Sequence, residues 1–293
     1  MKQILIFFLP FLFLACTESN PPAVRFGIMS DIQYCDCDNL WILYYRESLP
    51  KLEEAVNYMN KKNVDFTVNL GDIIDRDYSS FDPVIERLDK LNNKLINITG
   101  NHDYDGVTDN KILYDRLSMP DEYFTYEFKE HDWQFIFLNT NELASYSNIK
   151  GTPKEEEYNT IVERSDKEER NNTQSCNGGI SEKQLHWLDS ILTVADSLNK
   201  KVLIFSHHPI YPDNAAINNI EILSVIEKYK SVKAAFSGHV HEGNFGYYKE
   251  IPFITIQGML DTKKNAYGIV SLYDNKIVID GKGRLESRKI DIK

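Results

Sequence analysis

Three short runs decide the fold: VRFGIMSDIQ at residues 24–33, FTVNLGDIID at 66–75 and LINITGNHD at 95–103. Each opens with an apolar stretch of strand length containing β-branched residues, and each ends in a turn carrying groups that bind metals or move protons. Between the first two, Leu49, Leu52, Val56 and Met59 recur at helical spacing, with Pro50 tolerable only in the first turn. Val84 to Leu91 has helical character between the second and third. This strand-helix alternation predicts βαβ units and an α/β core.

The rest of the chain extends that pattern. Tyr123 to Phe128 and Trp133 to Leu138 predict a hairpin. Residues 145–179 are polar, charge-dense and without a clear period, which predicts a long excursion of the kind that forms lids and binding loops. Ser181 to Gln184 fits a capping box, with Leu185, Leu188 and Leu192 following on one helical face. Val202 to Phe205, Ala234 to Phe236 and Phe253 to Ile256 predict strands, and Tyr267 to Tyr273 with Ile277 to Ile279 predicts a C-terminal hairpin. Residues 24–293 therefore form one domain.

The 293 residues are 42% hydrophobic and 26% charged, a globular composition that excludes collagen-like, disordered and multi-span membrane proteins. A net charge of -11 argues against nucleic acid or an anionic membrane surface as the main partner. An anionic substrate then needs a local positive centre, and bound cations supply one. The N-terminus is read as a targeting segment: a basic start at Lys2, an apolar run from Ile4 to Leu14, and Ala15-Cys16. That run is too short to span a bilayer, which takes about twenty residues. The ending resembles a bacterial lipobox and implies a signal peptide at 1–16, a lipid on Cys16, a tether at 17–23, and export to the bacterial cell envelope. Three further cysteines, Cys35, Cys37 and Cys176, are an odd set that implies no disulfide framework, and the spacing of Cys35 and Cys37 is read as suiting neither a disulfide nor a common zinc site.

Five segments each begin where an apolar strand ends: Ser30-Asp31-Ile32-Gln33, Gly71-Asp72-Ile73-Ile74-Asp75, Gly100-Asn101-His102-Asp103, Ser206-His207-His208-Pro209 and Gly238-His239-Val240-His241. Sites in open α/β sheets form at the carboxyl ends of strands, so these segments are predicted to converge. Singly they are weak: Asp72, Asn101 and Asp103 also read as turn or cap residues and the His207-His208 pair as a surface accident, the Gly238 segment being the stronger one. Together they carry five of the seven histidines, and alternate positions send His239 and His241 to one side of an extended segment. Asp31, Asp72, Asn101, His207, His239 and His241 offer the mixed carboxylate, amide and imidazole donors that suit Mn, Fe or Zn. A two-metal hydrolytic centre needs such a set, with one carboxylate able to bridge.

In residue order, these motifs resemble the calcineurin-like metallophosphoesterase superfamily across essentially the whole mature chain. The resemblance implies a four-layer α/β/β/α sandwich and two divalent metal ions. It places Asp31 and His241 on one ion, Asn101, His207 and His239 on the other, and Asp72 between them. It also makes His102 the group that protonates the leaving group, with Asp103 orienting it. Gln33 stands where the superfamily usually has His, and the Asp-Ile-Gln-Tyr run is similar to the manganese-dependent ADP-ribose/CDP-alcohol diphosphatases. Tyr44-Tyr45-Arg46, Asn177-Gly178-Gly179 and Gly281-Lys282-Gly283-Arg284 resemble that family too. Gln33 is then implied to bind metal through its amide oxygen, a donor that suits manganese. The implied substrate is a small nucleotide diphosphate such as ADP-ribose or CDP-choline. A broader phosphodiesterase or phosphomonoesterase, and a binding lipoprotein without catalysis, are the alternatives.

Overall fold

The computed structural model describes residues 21–128, 131–213 and 215–293. The predicted signal segment, Cys16 and residues 17–20 of the tether lie outside the described residues. Along the chain run β1 (Val24–Met29), α1 (Ser48–Lys62), β2 (Phe66–Asn69), α2 (Phe81–Leu88), β3 (Lys94–Asn97), α3 (Asn110–Arg116), β4 (Phe124–Glu127) and β5 (Trp133–Phe137). They are followed by α4 (Pro153–Lys167), α5 (Glu182–Ser197), β6 (Lys201–Phe205), α6 (Asn219–Ile226), β7 (Val232–Ser237), β8 (Asn244–Tyr248), β9 (Ile251–Thr255), β10 (Ala266–Leu272), β11 (Lys276–Gly283) and β12 (Arg288–Asp291). Two six-stranded sheets result, in the orders β12-β11-β10-β1-β2-β3 and β4-β5-β6-β7-β9-β8. Strands β1, β2 and β3 are parallel, as are β5, β6, β7 and β9, so the loops that follow them leave from one end of each sheet.

Side-chain alternation explains why the sheets stack. In β5 and β6, Trp133, Phe135, Phe137, Leu203 and Phe205 enter the core between the sheets, whereas Ile136, Val202 and Ile204 face the other way and pack with Leu188 and Leu192 of α5 and Ile222 of α6. Phe26 of β1 meets Phe205 at 5.7 Å and Phe236 at 6.1 Å across the sandwich, edge to face. Leu52, Val56 and Met59 bring α1 onto the outer face of the first sheet. The four-layer α/β/β/α arrangement is therefore the observed one, and the C-terminal hairpin is β10 with β11. Among the described residues, no helix is long and apolar enough to cross a membrane.

Two expectations change. Residues 153–167 of the polar excursion are the helix α4, with a proline in its first turn, Glu155 and Glu156 at the start, and Arg164 and Lys167 at the end. It buries only Ile161 and Ser165, so no apolar stripe announced it. Cys35 and Cys37, read as unsuited to a disulfide, are paired in the structure with a Cα separation of 5.3 Å, inside the range a disulfide needs. The chain turns between them, which sequence spacing alone does not reveal.

Candidate metal centre

The five predicted segments meet. Main-chain hydrogen bonds join the first to the second and the fourth to the fifth: Asp31 N–H donates to Gly71 O at 3.1 Å, Gln33 N–H to Asp72 O at 2.9 Å and Gly238 N–H to His207 O at 3.0 Å. The loop after β9 joins in, with Met259 N–H on Ser30 O and Leu260 N–H on Asp31 O. Asp31, Gln33, Asp72 and His239 all adopt left-handed φ values between 42° and 68°, a conformation non-glycine residues avoid unless surrounding structure imposes it. The turns are therefore held, and the side chains with them.

Ligand atoms of Asp31, Asp72 and His207 lie within 4.8 Å of one another. On one side, His241 Nε2 stands 3.5 Å from Asp31 Oδ1. On the other, Asn101 Oδ1 stands 3.2 Å from His207 Nε2 and 3.0 Å from His239 Nδ1. Asp72 sits between, with Oδ2 3.4 Å from His207 Nε2 and Oδ1 accepting the His102 backbone N–H at 2.8 Å. His207 Nδ1 meets Leu70 O at 2.8 Å, which leaves Nε2 to face the cluster. Gly100 is required here, since a Cβ would lie 2.1 Å from Asp72 Oδ1.

The charges respond to burial and to one another. Burial alone would raise the Asp72 carboxyl, but His207 and His102 hold it well below its ordinary range. Asp31 is likewise lowered, against burial, by His241 and His207. Burial opposes charge on His207, yet Asp72 raises its imidazole to about 9. His239, buried beside His207, falls to about 4. Two buried carboxylates, an amide oxygen and imidazoles offering ring nitrogens are the chemistry that a pair of Mn, Fe or Zn ions requires, so the residues present fit such a centre.

The model of the calcineurin-like phosphoesterase family matches residues 24–243. This chain belongs to that family. It is 30% identical to the manganese-dependent ADP-ribose/CDP-alcohol diphosphatase of Danio rerio, over 92% of this chain and 98% of that protein. The Homo sapiens protein of the same name is 29% identical over 95% of this chain and 96% of its own length. A dimetal phosphatase structure from Danio rerio superposes with a TM-score of 0.84 at 28% identity, covering 93% of this chain and 100% of that one.

Within this phosphoesterase site, one residue behaves differently from expectation. Asp103 does not orient His102; its oxygens accept the backbone N–H groups of Asp72, Ile73, Ile74 and Gly100 at 2.7–3.2 Å. Burial, then the Asp72 charge, raises its carboxyl to about 7 against the bonds from Gly100, Ile73 and Ile74. Its task is to stitch the Asp72 turn to the Gly100 turn. The carboxylates that face the His102 ring are Asp75, at 3.8 Å, and Asp105, at 3.9 Å. Gln33 stands at the centre as expected of a residue near the ions, its amide N–H donating to Asp72 Oδ2 at 2.9 Å and its Oε1 not engaged by that bond.

Other contributors had no role assigned from sequence. Asn177 Oδ1 meets His239 Nε2 at 3.0 Å, so the excursion reaches the centre with the Asn-Gly-Gly run. Gly178 and Gly179 let that run pass close, because a Cβ would stand 2.4 Å from Thr140 O at the first and 2.6 Å from Asn218 Oδ1 at the second. His208, next to the proposed ligand His207, faces Thr140 Oγ1 and Cys176 O. Asp261 meets His241 Nδ1 at 2.7 Å. It lies in the loop after β9, beyond a sixth strand end and too far from it for position alone to mark it.

Proposed function

We propose that this chain is a manganese-dependent hydrolase that cleaves the diphosphate bond of nucleotide conjugates such as ADP-ribose and CDP-alcohols. The observation that carries this reading is the arrangement around Asp72: one carboxylate flanked by Asp31 and His241 on one side and by Asn101, His207 and His239 on the other. The sequence identity to the diphosphatases over nearly their full length supports the choice of bond and metal.

In this reading Asp31, Gln33, Asp72, Asn101, His207, His239 and His241 would hold two cations. Two bound cations would supply an activated water at neutral pH and charge neutralisation on the phosphoryl group. The protein's own contribution is position and proton transfer. His102 follows Asn101 directly, and its side chain is 36% exposed, so it can reach solvent and substrate. It donates a proton to the departing phosphate oxygen, relieving charge that develops there. Asp75 and Asp105 face its ring, their oxygens 3.8 and 3.9 Å from Nδ1. The chain is further proposed to be exported and lipid-anchored through Cys16, on the lipobox-like ending of residues 13–16.

The test is a screen of purified protein with manganese against ADP-ribose, CDP-choline and a simple phosphomonoester, with products identified. The proposal expects AMP with ribose 5-phosphate from the first and CMP with phosphocholine from the second. Preference for the monoester would favour the broader phosphatase reading, and inertness toward all three a binding protein.

A further inference from the structure

The Gly281-Lys282-Gly283-Arg284 run lies on and just beyond the end of β11, with no place in the cluster around Asp72. Its backbone packs so closely that side chains are excluded: a Cβ on Gly283 would stand 1.9 Å from Asn265 O, and one on Gly281 2.1 Å from Leu285 O. Arg284 N–H donates to Asn265 O at 2.7 Å. The effect is to aim the Arg284 guanidinium, 16% exposed, at Asp261, 4% exposed, with Nη1 3.3 Å from Oδ2. Its other terminal nitrogen, Nη2, donates to the main-chain oxygen of His241 at 2.6 Å.

Asp261 completes the circuit. Its Oδ1 takes the Nδ1 edge of His241 at 2.7 Å, a carboxylate acceptor for that nitrogen's proton, and Nε2 is turned toward Asp31. The loop bearing Asp261 is itself clamped from beneath. Lys51, 6% exposed, points Nζ at four successive carbonyls, those of Met259 (2.8 Å), Leu260 (3.2 Å), Asp261 (3.5 Å) and Thr262 (2.6 Å). The same loop holds Asp31 by its main chain through Leu260 N–H, so both groups on this side of the centre are referred to one rigid element.

We propose that Asp261 and Arg284 are a positioning pair that fixes the tautomer and bearing of His241, with Lys51 holding their loop, and thereby set cation affinity on the Asp31 and His241 side. This rests on the manganese reading of the centre given above. A carboxylate behind a ligating imidazole raises its basicity and fixes its orientation, and loss of such a partner costs about 10–100-fold in metal affinity.

The experiment counts manganese bound to full-length protein without substrate, by calorimetry and by the electron paramagnetic resonance signal of free Mn, for wild type, Asp261→Asn and Arg284→Lys. Thermal unfolding of the metal-free proteins runs alongside. The expected result is two manganese in the wild type and, in both variants, one of the two weakened about 10–100-fold while the other keeps its affinity within a few-fold. Activity lost at low manganese returns as manganese is raised. Arg284→Lys keeps the positive charge beside Asp261 but loses the fork, and it carries the test if Asp261→Asn does not fold. Wild-type affinity for both ions in a folded variant overturns the proposal alone. A wild-type protein that takes up no manganese overturns the reading of the centre and the proposal with it.

Discussion

Replacing Gly100 by alanine adds one methyl group at the most crowded point of the site. Gly100 is not among the positive-φ residues, so its backbone accepts alanine and the effect is steric. The new Cβ would stand 2.1 Å from Asp72 Oδ1 and 2.3 Å from Asp72 N. Real contacts of this kind open to about 3 Å or more, so Asp72 must retreat by roughly 1 Å, and a misplacement of that size at a reacting centre costs on the order of 10²-fold. The turn cannot yield freely, because Asp103 holds the N–H groups of Asp72 and Gly100 together. Overpacking adds about 1–3 kcal/mol of destabilisation. The assay is kcat/KM for ADP-ribose at saturating manganese, with the melting temperature of the metal-free protein measured beside it. A loss of roughly a hundredfold in a protein that still folds is expected. Turnover within about threefold of wild type in a folded variant refutes the idea that Asp72 must stand where the structure puts it.

Three further outcomes are expected. Manganese binding at pH 7.5 releases protons, because His207, raised to about 9, must give up its proton to bind a metal; affinity therefore climbs with pH up to about 9, and calorimetry in buffers of different ionisation enthalpy reads the protons released. His102→Ala slows an alkyl phosphodiester by a clearly larger factor than ADP-ribose, since an alkoxide needs a proton more than a phosphate does; equal losses in kcat/KM on both substrates contradict acid catalysis. Cys16→Ser abolishes lipid labelling and moves the processed protein from the membrane to the soluble fraction, since stable anchoring takes two or more acyl chains; a wild-type protein that carries no lipid contradicts the anchor.

The sandwich was legible because β5, β6 and β7 face apolar surroundings on both sides, leaving short continuous apolar runs that end abruptly at polar turns. The cluster around Asp72 was legible for the same reason: each segment is punctuated by a strand end, and the residue types that remain there are metal donors. What surrounds the cluster was not. Asp261 is one aspartate among many until β9 is seen to deliver it against His241. Asp103 looked like a partner for His102 because it is adjacent in sequence, yet the 3₁₀ turn at His102–Tyr104 buries it against four backbone donors. The capping box before α5 was half right: Ser181 Oγ accepts Gln184 N–H, but the Gln184 side chain turns to Asn139 and Glu142 instead of back to Ser181. Tertiary partners outcompeted a local pattern there, and sequence alone does not list them.

The most direct test of the account titrates manganese into metal-free protein while counting bound metal and measuring ADP-ribose hydrolysis in the same samples, for wild type and Asp72→Asn. The account predicts two manganese per wild-type chain, hydrolysis that rises with filling of the second site, and an Asp72→Asn protein that stays folded, loses metal and loses turnover. Full hydrolysis at one manganese per chain, or two manganese and near-normal turnover in Asp72→Asn, would contradict it.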